Sequence, residues 1–559
     1  MLGATDAALR RPSPVIASVI PAALFVASGL FVVWRASQVG VLVDLGYVVN
    51  IATRIALGDV PYLQFPLAQA PGEFLLQAAL IKAFGPHYGV QIAYAAIVGG
   101  LATALTYLIA RRLLAGAVAA PRALAAVLAI PLIPLGIYAI LPNPFYDPDA
   151  CFAALAGIAA VLAARDHPTR VRWFLAGALL TIPVLIKQNI GGAYLVSVLV
   201  VLAAEALQRQ AARAHFRQCL GGVAAALGVE VLVLQLVVGL DSYVQWAWTF
   251  AMSGRGVSLG RIREFADPRV IWPGVLLLLL VILGRSVPAR ARGPLFVAGL
   301  CVPVIASAFA PTLLVSVPEM FPPLLLAACG LAVARTARGG ARFDLLLPLV
   351  LTATTLGTLQ SQGLAGSSFG IFPFLVLAIA ALVRDLAFFL PVPPRLAPSA
   401  GLVLALILTV AGAGYTAENV RLRFIDVNAE GPVNGSTFPS LVGLSARGPY
   451  LGELDAILFW MRDHVAPDES FVFLPGEDPA FFALNRKPAL PSVYFYDVAT
   501  PYTPAEIAGF AERAGLRWVF VKDKLQLTDV PPLEDELVAR LTGGATLVTT
   551  IGPYRVFRR

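Results

Sequence analysis

Three carboxylates sit where long apolar runs give way to short polar stretches. Asp44 lies in VLVDLGYVVNIATRIALGDVPYLQF (residues 41–65), and Asp147 and Asp149 lie in NPFYDPDACFAAL (143–155). A carboxylate in such a place can take a proton from an acceptor hydroxyl or stabilise an oxocarbenium-like transition state. The bland reading is that each solvates its loop, and YDPD is also an ordinary turn and helix N-cap signature. Lys187, in LIKQNIGG, is with Lys82 one of two lysines before residue 417. Its place at the outer end of an apolar run is one that charge statistics disfavour. It reads as a phosphate ligand, with a snorkelling side chain as the alternative. Arg255, Arg261 and Arg263 follow Trp246 and Trp248 in the aromatic, glycine-containing stretch DSYVQWAWTFAMSGRGVSLGRIREFADPR. The arginines can close over a phosphate head group, and the tryptophans read as membrane-interface anchors. Glu319, in PEMFPP, is a further candidate for lining the same cavity.

These groups need elements to hold them. If residues 44–58 are helical, Leu45, Val48, Val49, Ala52, Ile55 and Ala56 share one face, and Asp44, Tyr47, Asn50 and Arg54 the other. That pattern predicts an amphipathic helix lying at the membrane surface, its polar side lining a cavity together with Tyr62. GDVPY is a turn signal, and FPLAQAPGEFLLQAALIKAFG (65–85) predicts a second interfacial helix.

The rest of the chain is hydrophobic. It is 58% apolar and 13% charged, where soluble domains carry about 25% charged residues. Thirteen candidate spans are read, at 15–35, 88–110, 122–141, 149–164, 172–186, 190–208, 218–240, 270–284, 294–310, 319–334, 344–359, 369–385 and 398–416. The first reads as a retained span. With the N-terminus inside, one set of loops holds nineteen Arg/Lys and the other eight. This is the asymmetry of the positive-inside rule, with an external C-terminus. Residues 417–559 carry 14 Lys/Arg and 18 Asp/Glu, against 27 and 15 in the first 416. The basic balance therefore belongs to cytoplasmic loops facing anionic lipid, and no nucleic-acid partner is expected. The expected architecture is a polytopic α-helical membrane domain (1–416), with an external loop at 36–87, followed by a small external α/β domain (417–559). In the latter, LGELDAILFWMRDHV and PAEIAGFAERAGL read as helices, SFVFLP and RWVFVKD as strands, and ATLVTTIGPYRVFRR as a terminal hairpin. His464 reads as a surface residue. The four cysteines lie in or beside apolar runs, so a disulfide within 417–559 and a CxxC metal site are excluded.

The pattern D-x-x-Y, A-x-R-x-A-L-G-D-V-P-Y-x-x-F and P-G-E, followed by NPFYDPDACFAAL and IKQNIGG, resembles membrane glycosyltransferases of the GT-C superfamily. The group it is most similar to is that of protein O-mannosyltransferases and lipid A aminoarabinose transferases. The resemblance implies an inverting transferase that takes a sugar from a polyprenyl-phosphate donor at the outer face of a bacterial plasma membrane. The acceptor would be a glycan, lipid or protein. It also implies an essential acid in the first external loop, here Asp44, and a second in the next, here Asp147 or Asp149. Leu45 follows Asp44 where the family often has Glu, and Gln64 stands where an Asp is common; the acceptor and any divalent cation stay open. Glu230, inside an apolar run, is the residue that favours the alternative of a transporter or lipid-linked sugar flippase; a protonated or hydrogen-bonded Glu facing the bundle is the preferred reading. A glycan-binding scaffold is the third class.

Overall fold

The computed structural model describes residues 14–38, 42–255, 288–308, 321–366, 370–390, 395–417, 431–495, 500–523 and 535–559, with isolated positions elsewhere. Arg261 and Glu319, and most of the expected span 270–284, lie outside the described residues.

The first half is a run of helices: α1 (Pro14–Ala36), α2 (Leu42–Ala56), α3 (Gly72–Phe84), α4 (Tyr88–Leu114), α5 (Pro121–Ala129), α6 (Leu132–Leu135), α7 (Tyr146–Asp166), α8 (Arg170–Leu179), α9 (Ile182–Ile186), α10 (Gln188–Gln208) and α11 (Gln210–Val237). Among the described residues eight helices are long and apolar enough to cross a membrane: α1, α4, α7, α10, α11 and three in 343–360, 372–389 and 396–414. Helices Ala289–Ala308 and Phe321–Gly339 coincide with two further expected spans. On α11 the apolar side chains Val229, Leu232, Val233 and Leu236 are exposed, as a lipid-facing surface requires. Helix Phe372–Phe389 is instead buried on nearly all sides.

Two expected spans are broken. At 122–141 the helix stops at Ile130 before Pro131, restarts for one turn as α6, and ends at Gly136. At 172–186 the break falls at Leu180 and Thr181, ahead of Pro183. Proline removes a helical donor and clashes with the preceding turn. Irregular backbone at membrane depth is tolerated only where protein covers it, and residues 134–145 are buried throughout.

Residues from loops read as lying on one side meet one another. Arg112 pairs with Asp166, Arg165 with Glu205 at 2.5 Å and with Asp344 at 3.8 Å, and Arg335 with Asp385 at 2.6 Å. At the opposite ends Arg35, closing α1, donates to the carbonyl of Thr416 at 2.7 Å.

All strands among the described residues follow residue 431. β1 (Val433–Gly435) pairs with β2 (Ser445–Arg447), antiparallel. β3 (Phe471–Leu474), β4 (Trp518–Lys522), β5 (Thr546–Ile551) and β6 (Tyr554–Arg558) form a sheet of order β3-β4-β6-β5. β3 and β4 are parallel, joined through helix Pro504–Arg513, which Thr503 and Glu506 close with a reciprocal capping box. β5 and β6 form the hairpin expected around Gly552-Pro553.

α2 forms where it is expected, but its polar face does not line an open surface. Its apolar residues Leu45, Val48, Val49 and Ala52 are buried, and so are Asn50 and Arg54. Residues 477–491 of the C-terminal region cover the polar side. Asn50 donates to the carbonyl of Asp478 (2.8 Å) and accepts from the amide of Phe482 (3.1 Å). Arg54 donates to Asp59 (2.5 Å) and to the carbonyls of Leu490 (2.8 Å) and Pro491 (2.9 Å), with its guanidinium 4.5 Å from the Phe65 ring. Lys487 completes the group on Asp59. Gly46 permits the approach, because a Cβ there would stand 2.6 Å from the carbonyl oxygen of Glu477.

Candidate functional site

The first turn of α7 gathers the chemistry. Phe145 enters it extended, and Pro148 sits in the first turn, where its missing N–H costs no helical bond. Asp147 and Asp149 therefore leave the helix start on different bearings, two residues apart, and neither caps it. Both are buried, at 4% and 2% exposure.

Asp147 faces Lys187. The chain between α9 and α10 is extended at Lys187 (φ −149°, ψ 110°), which swings its side chain out of the helical path. Nζ lies 3.5 Å from Asp147 Oδ1 and 4.0 Å from the centre of the Tyr146 ring. Lys187 is 6% exposed, so it is not snorkelling to water. Asp147 Oδ1 makes no hydrogen bond among the described residues; its ion pair with Lys187 is longer than a direct hydrogen bond. That leaves an ammonium and a carboxylate within reach of each other, neither drawn into a tight bond between them.

Asp149 is enclosed. Tyr138 donates to Oδ1 and Tyr94 to Oδ2, each at 2.6 Å. The carboxyl of Glu73, on α3, lies beside that of Asp149. Glu73 is wholly buried, and Gln77, one turn on, donates to its Oε1 at 2.9 Å. Burial and the neighbouring Asp149 push the Glu73 carboxyl well above the usual carboxylate range.

A chain of aromatic contacts joins α2 to this site. Tyr47 lies one turn from Asp44 on the same side of the helix. It packs edge-on against Phe74 (5.8 Å) and Tyr494 (6.4 Å), and Phe74 lies 6.2 Å from Tyr146, beneath Lys187. Tyr47 also donates to Gln69 Oε1 at 2.8 Å. Asp44 is half-buried in the first turn of α2. Tyr62 takes a positive φ of 69°, donates to the carbonyl of Gln69 at 2.7 Å and packs edge-on against Tyr243 at 5.2 Å.

The structure thus brings Asp147, Asp149 and Lys187 together and connects Tyr47 to them. Asn50 and Arg54 are engaged with the C-terminal region. Arg255 ends the short helix Ala251–Arg255, and Arg263 is exposed. Trp248 is exposed, while Trp246 is partly buried against Phe250 (6.0 Å) and Tyr502 (6.4 Å). Glu230 lies in α11, with Oε2 buried and making no hydrogen bond among the described residues. Glu73, Tyr94 and Tyr138 were not singled out from the sequence. The available signal was Glu73 with Gln77 at helical spacing on a helix whose one other polar side chain is Lys82 in its last turn. No group of three or more His, Cys, Asp or Glu residues arranged to hold a metal is found among the described residues.

No family model matches the chain, and no curated protein does. Among solved structures, ArnT from Cupriavidus metallidurans in the apo state aligns over 96% of this chain and 97% of its own, with TM-score 0.50 and 13% identity. The same protein bound to undecaprenyl phosphate aligns over the same shares, with TM-score 0.43 and 13% identity. The likeness to the apo structure is one of fold, a polytopic helical membrane architecture with a small C-terminal sheet region of the kind expected from the sequence.

Proposed function

We propose that this chain is an inverting glycosyltransferase that moves a sugar from a polyprenyl-phosphate carrier to an acceptor at the outer face of a bacterial plasma membrane. The observation that carries the reading is the buried Lys187–Asp147 pair, 3.5 Å apart over Tyr146, at the ends of apolar helices. The shared fold with ArnT supports it by analogy. In this reading Lys187 meets the donor phosphate, with the Arg255–Arg263 stretch contributing further positive charge. Asp147 or Asp44 accepts the proton of the acceptor hydroxyl as its oxygen attacks the anomeric carbon. The bond from that carbon to the phosphate oxygen breaks, and the electron pair leaves with the phosphate, whose charge Lys187 offsets. Asp147 is the better placed of the two acids on α7, because both oxygens of Asp149 are held by tyrosines.

The test is transfer by the purified protein from a synthetic polyprenyl-phosphate sugar to cell-envelope acceptors, with product read by mass spectrometry. Transfer by the wild type is expected, and Asp44→Asn should lower its rate by about 10²-fold or more, the scale of a lost general base. No transfer from any polyprenyl-phosphate sugar, in protein that elutes normally, rejects the reading. Wild-type transfer by Asp44→Asn removes that residue from the mechanism.

A further inference from the structure

Glu73 is a carboxyl that the proposed reaction does not use. It is fully enclosed, beside Asp149 on α7 and Gln77 on its own helix α3, while Tyr94 on α4 and Tyr138 after α6 hold Asp149. Two carboxylates in contact repel unless something positive lies between them, and inside a low-dielectric enclosure that repulsion is several-fold larger than in water. The nearby ammonium, Lys187, is drawn to Asp147. The three hydroxyl and amide donors that reach the pair are already placed, two on Asp149 and one on Glu73 Oε1. Glu73 Oε2 receives no hydrogen bond among the described residues. An oxygen that is buried, accepts nothing and belongs to a carboxyl touching another carboxyl is the oxygen of a protonated acid.

We propose that Glu73 and Asp149 hold one proton between them, carried by Glu73, and that Glu73 is a positioning residue. As a neutral donor it fixes Asp149, and with it the first turn of α7 that presents Asp147 to Lys187. The shared proton also removes a negative charge from the region. Asp147, Asp149, Glu73 and Lys187 then carry a net charge of −1 where full ionisation gives −2. A phosphate bound beside Lys187 meets correspondingly less repulsion. The donor part of this inference rests on the function proposed above; the shared proton does not.

The pair is tested first by infrared difference spectroscopy of the purified full-length protein at neutral pH. Wild type minus Glu73→Gln is expected to show a carboxylic-acid carbonyl band that shifts in D2O. Asp149→Asn should move the same band, since its hydrogen-bond acceptor is changed. A wild-type spectrum with no such band lost in Glu73→Gln means that both carboxyls are ionised, and this overturns the proposal. The second arm is activity. Gln keeps the size and a donor, so Glu73→Gln should keep donor KM and kcat within about threefold of wild type, while Glu73→Ala loses at least tenfold in kcat. A hundredfold loss in Glu73→Gln, with normal elution, means that Glu73 ionises in turnover and overturns the positioning role. If the band is present and no variant transfers sugar, the shared proton stands and the glycosyltransferase reading fails.

Discussion

Lys187 keeps its ammonium inside the protein and does not reach water. It is buried, held in an extended break between two helices and set over an aromatic ring. If it binds the donor phosphate, Lys187→Ala forfeits a charge-assisted contact of about 1.5–3 kcal/mol. That corresponds to a rise of roughly 10–150-fold in donor KM. Steady-state kinetics against donor concentration measures this, and an unchanged KM excludes Lys187 as a phosphate ligand. Lys187 itself was legible in the sequence, as a rare cation where one is disfavoured. Asp147 and Asp149 were legible as a pair, but not the different partners each has. Their separation came from Tyr94 and Tyr138, which lie 55 and 11 residues away in the chain from Asp149 and carry no local motif. Glu73 was visible only as the last residue of P-G-E, since its setting depends on a carboxyl 76 positions on.

Helix α2 teaches the limit of amphipathic patterning. The segregation of Asp44, Tyr47, Asn50 and Arg54 from the aliphatic residues forecast a helix with two faces, and α2 spans Leu42–Ala56. A moment cannot say what covers the polar face, and here it is protein instead of water. The elements of the C-terminal region were readable because each has a local signal: the helix Tyr450–His464, the capped helix after Thr503 and the hairpin at Gly552. Its seam with α2 has none. Arg54→Ala would leave Asp59 buried with Lys487 and no guanidinium, and breaking a buried pair typically costs about 3–5 kcal/mol. The expected outcome is a lower unfolding temperature and faster proteolytic cleavage between residues 478 and 491. Arg54→Lys should recover little of this, since an ammonium cannot serve Asp59 and two carbonyls in the same planar fork. Equal protease resistance in Arg54→Ala would mean that the seam is held by other contacts.

For the molecule as a whole, the proposed orientation, argued from the charge rule, has the N-terminus in the cytoplasm and the region after residue 417 outside. An alkaline phosphatase joined after Arg559 should then be active in a bacterial host, and an inactive fusion would reverse the proposed orientation. Buried charge also marks the C-terminal region. Lys522 lies against Glu477 and at 3.2 Å from Asp478, whose carboxylate also takes hydrogen bonds from Tyr450 and Tyr554. Burial alone would depress the ammonium, but the charges of Asp478 and Glu477 outweigh it and raise Lys522 above its usual value. The backbone of Asp478 is at the same time what Asn50 holds, so this ionic group and α2 are built as one piece. The two halves of that piece are 428 to 437 residues apart in the chain. A ribosome adding about 5–20 residues per second needs roughly 20–90 s to cover that distance. Through that interval α2 has been made, and Arg54 has Asp59, but the C-terminal carbonyls that Asn50 and Arg54 donate to have not. The polar face of α2 is therefore covered only once nearly the whole chain has been translated.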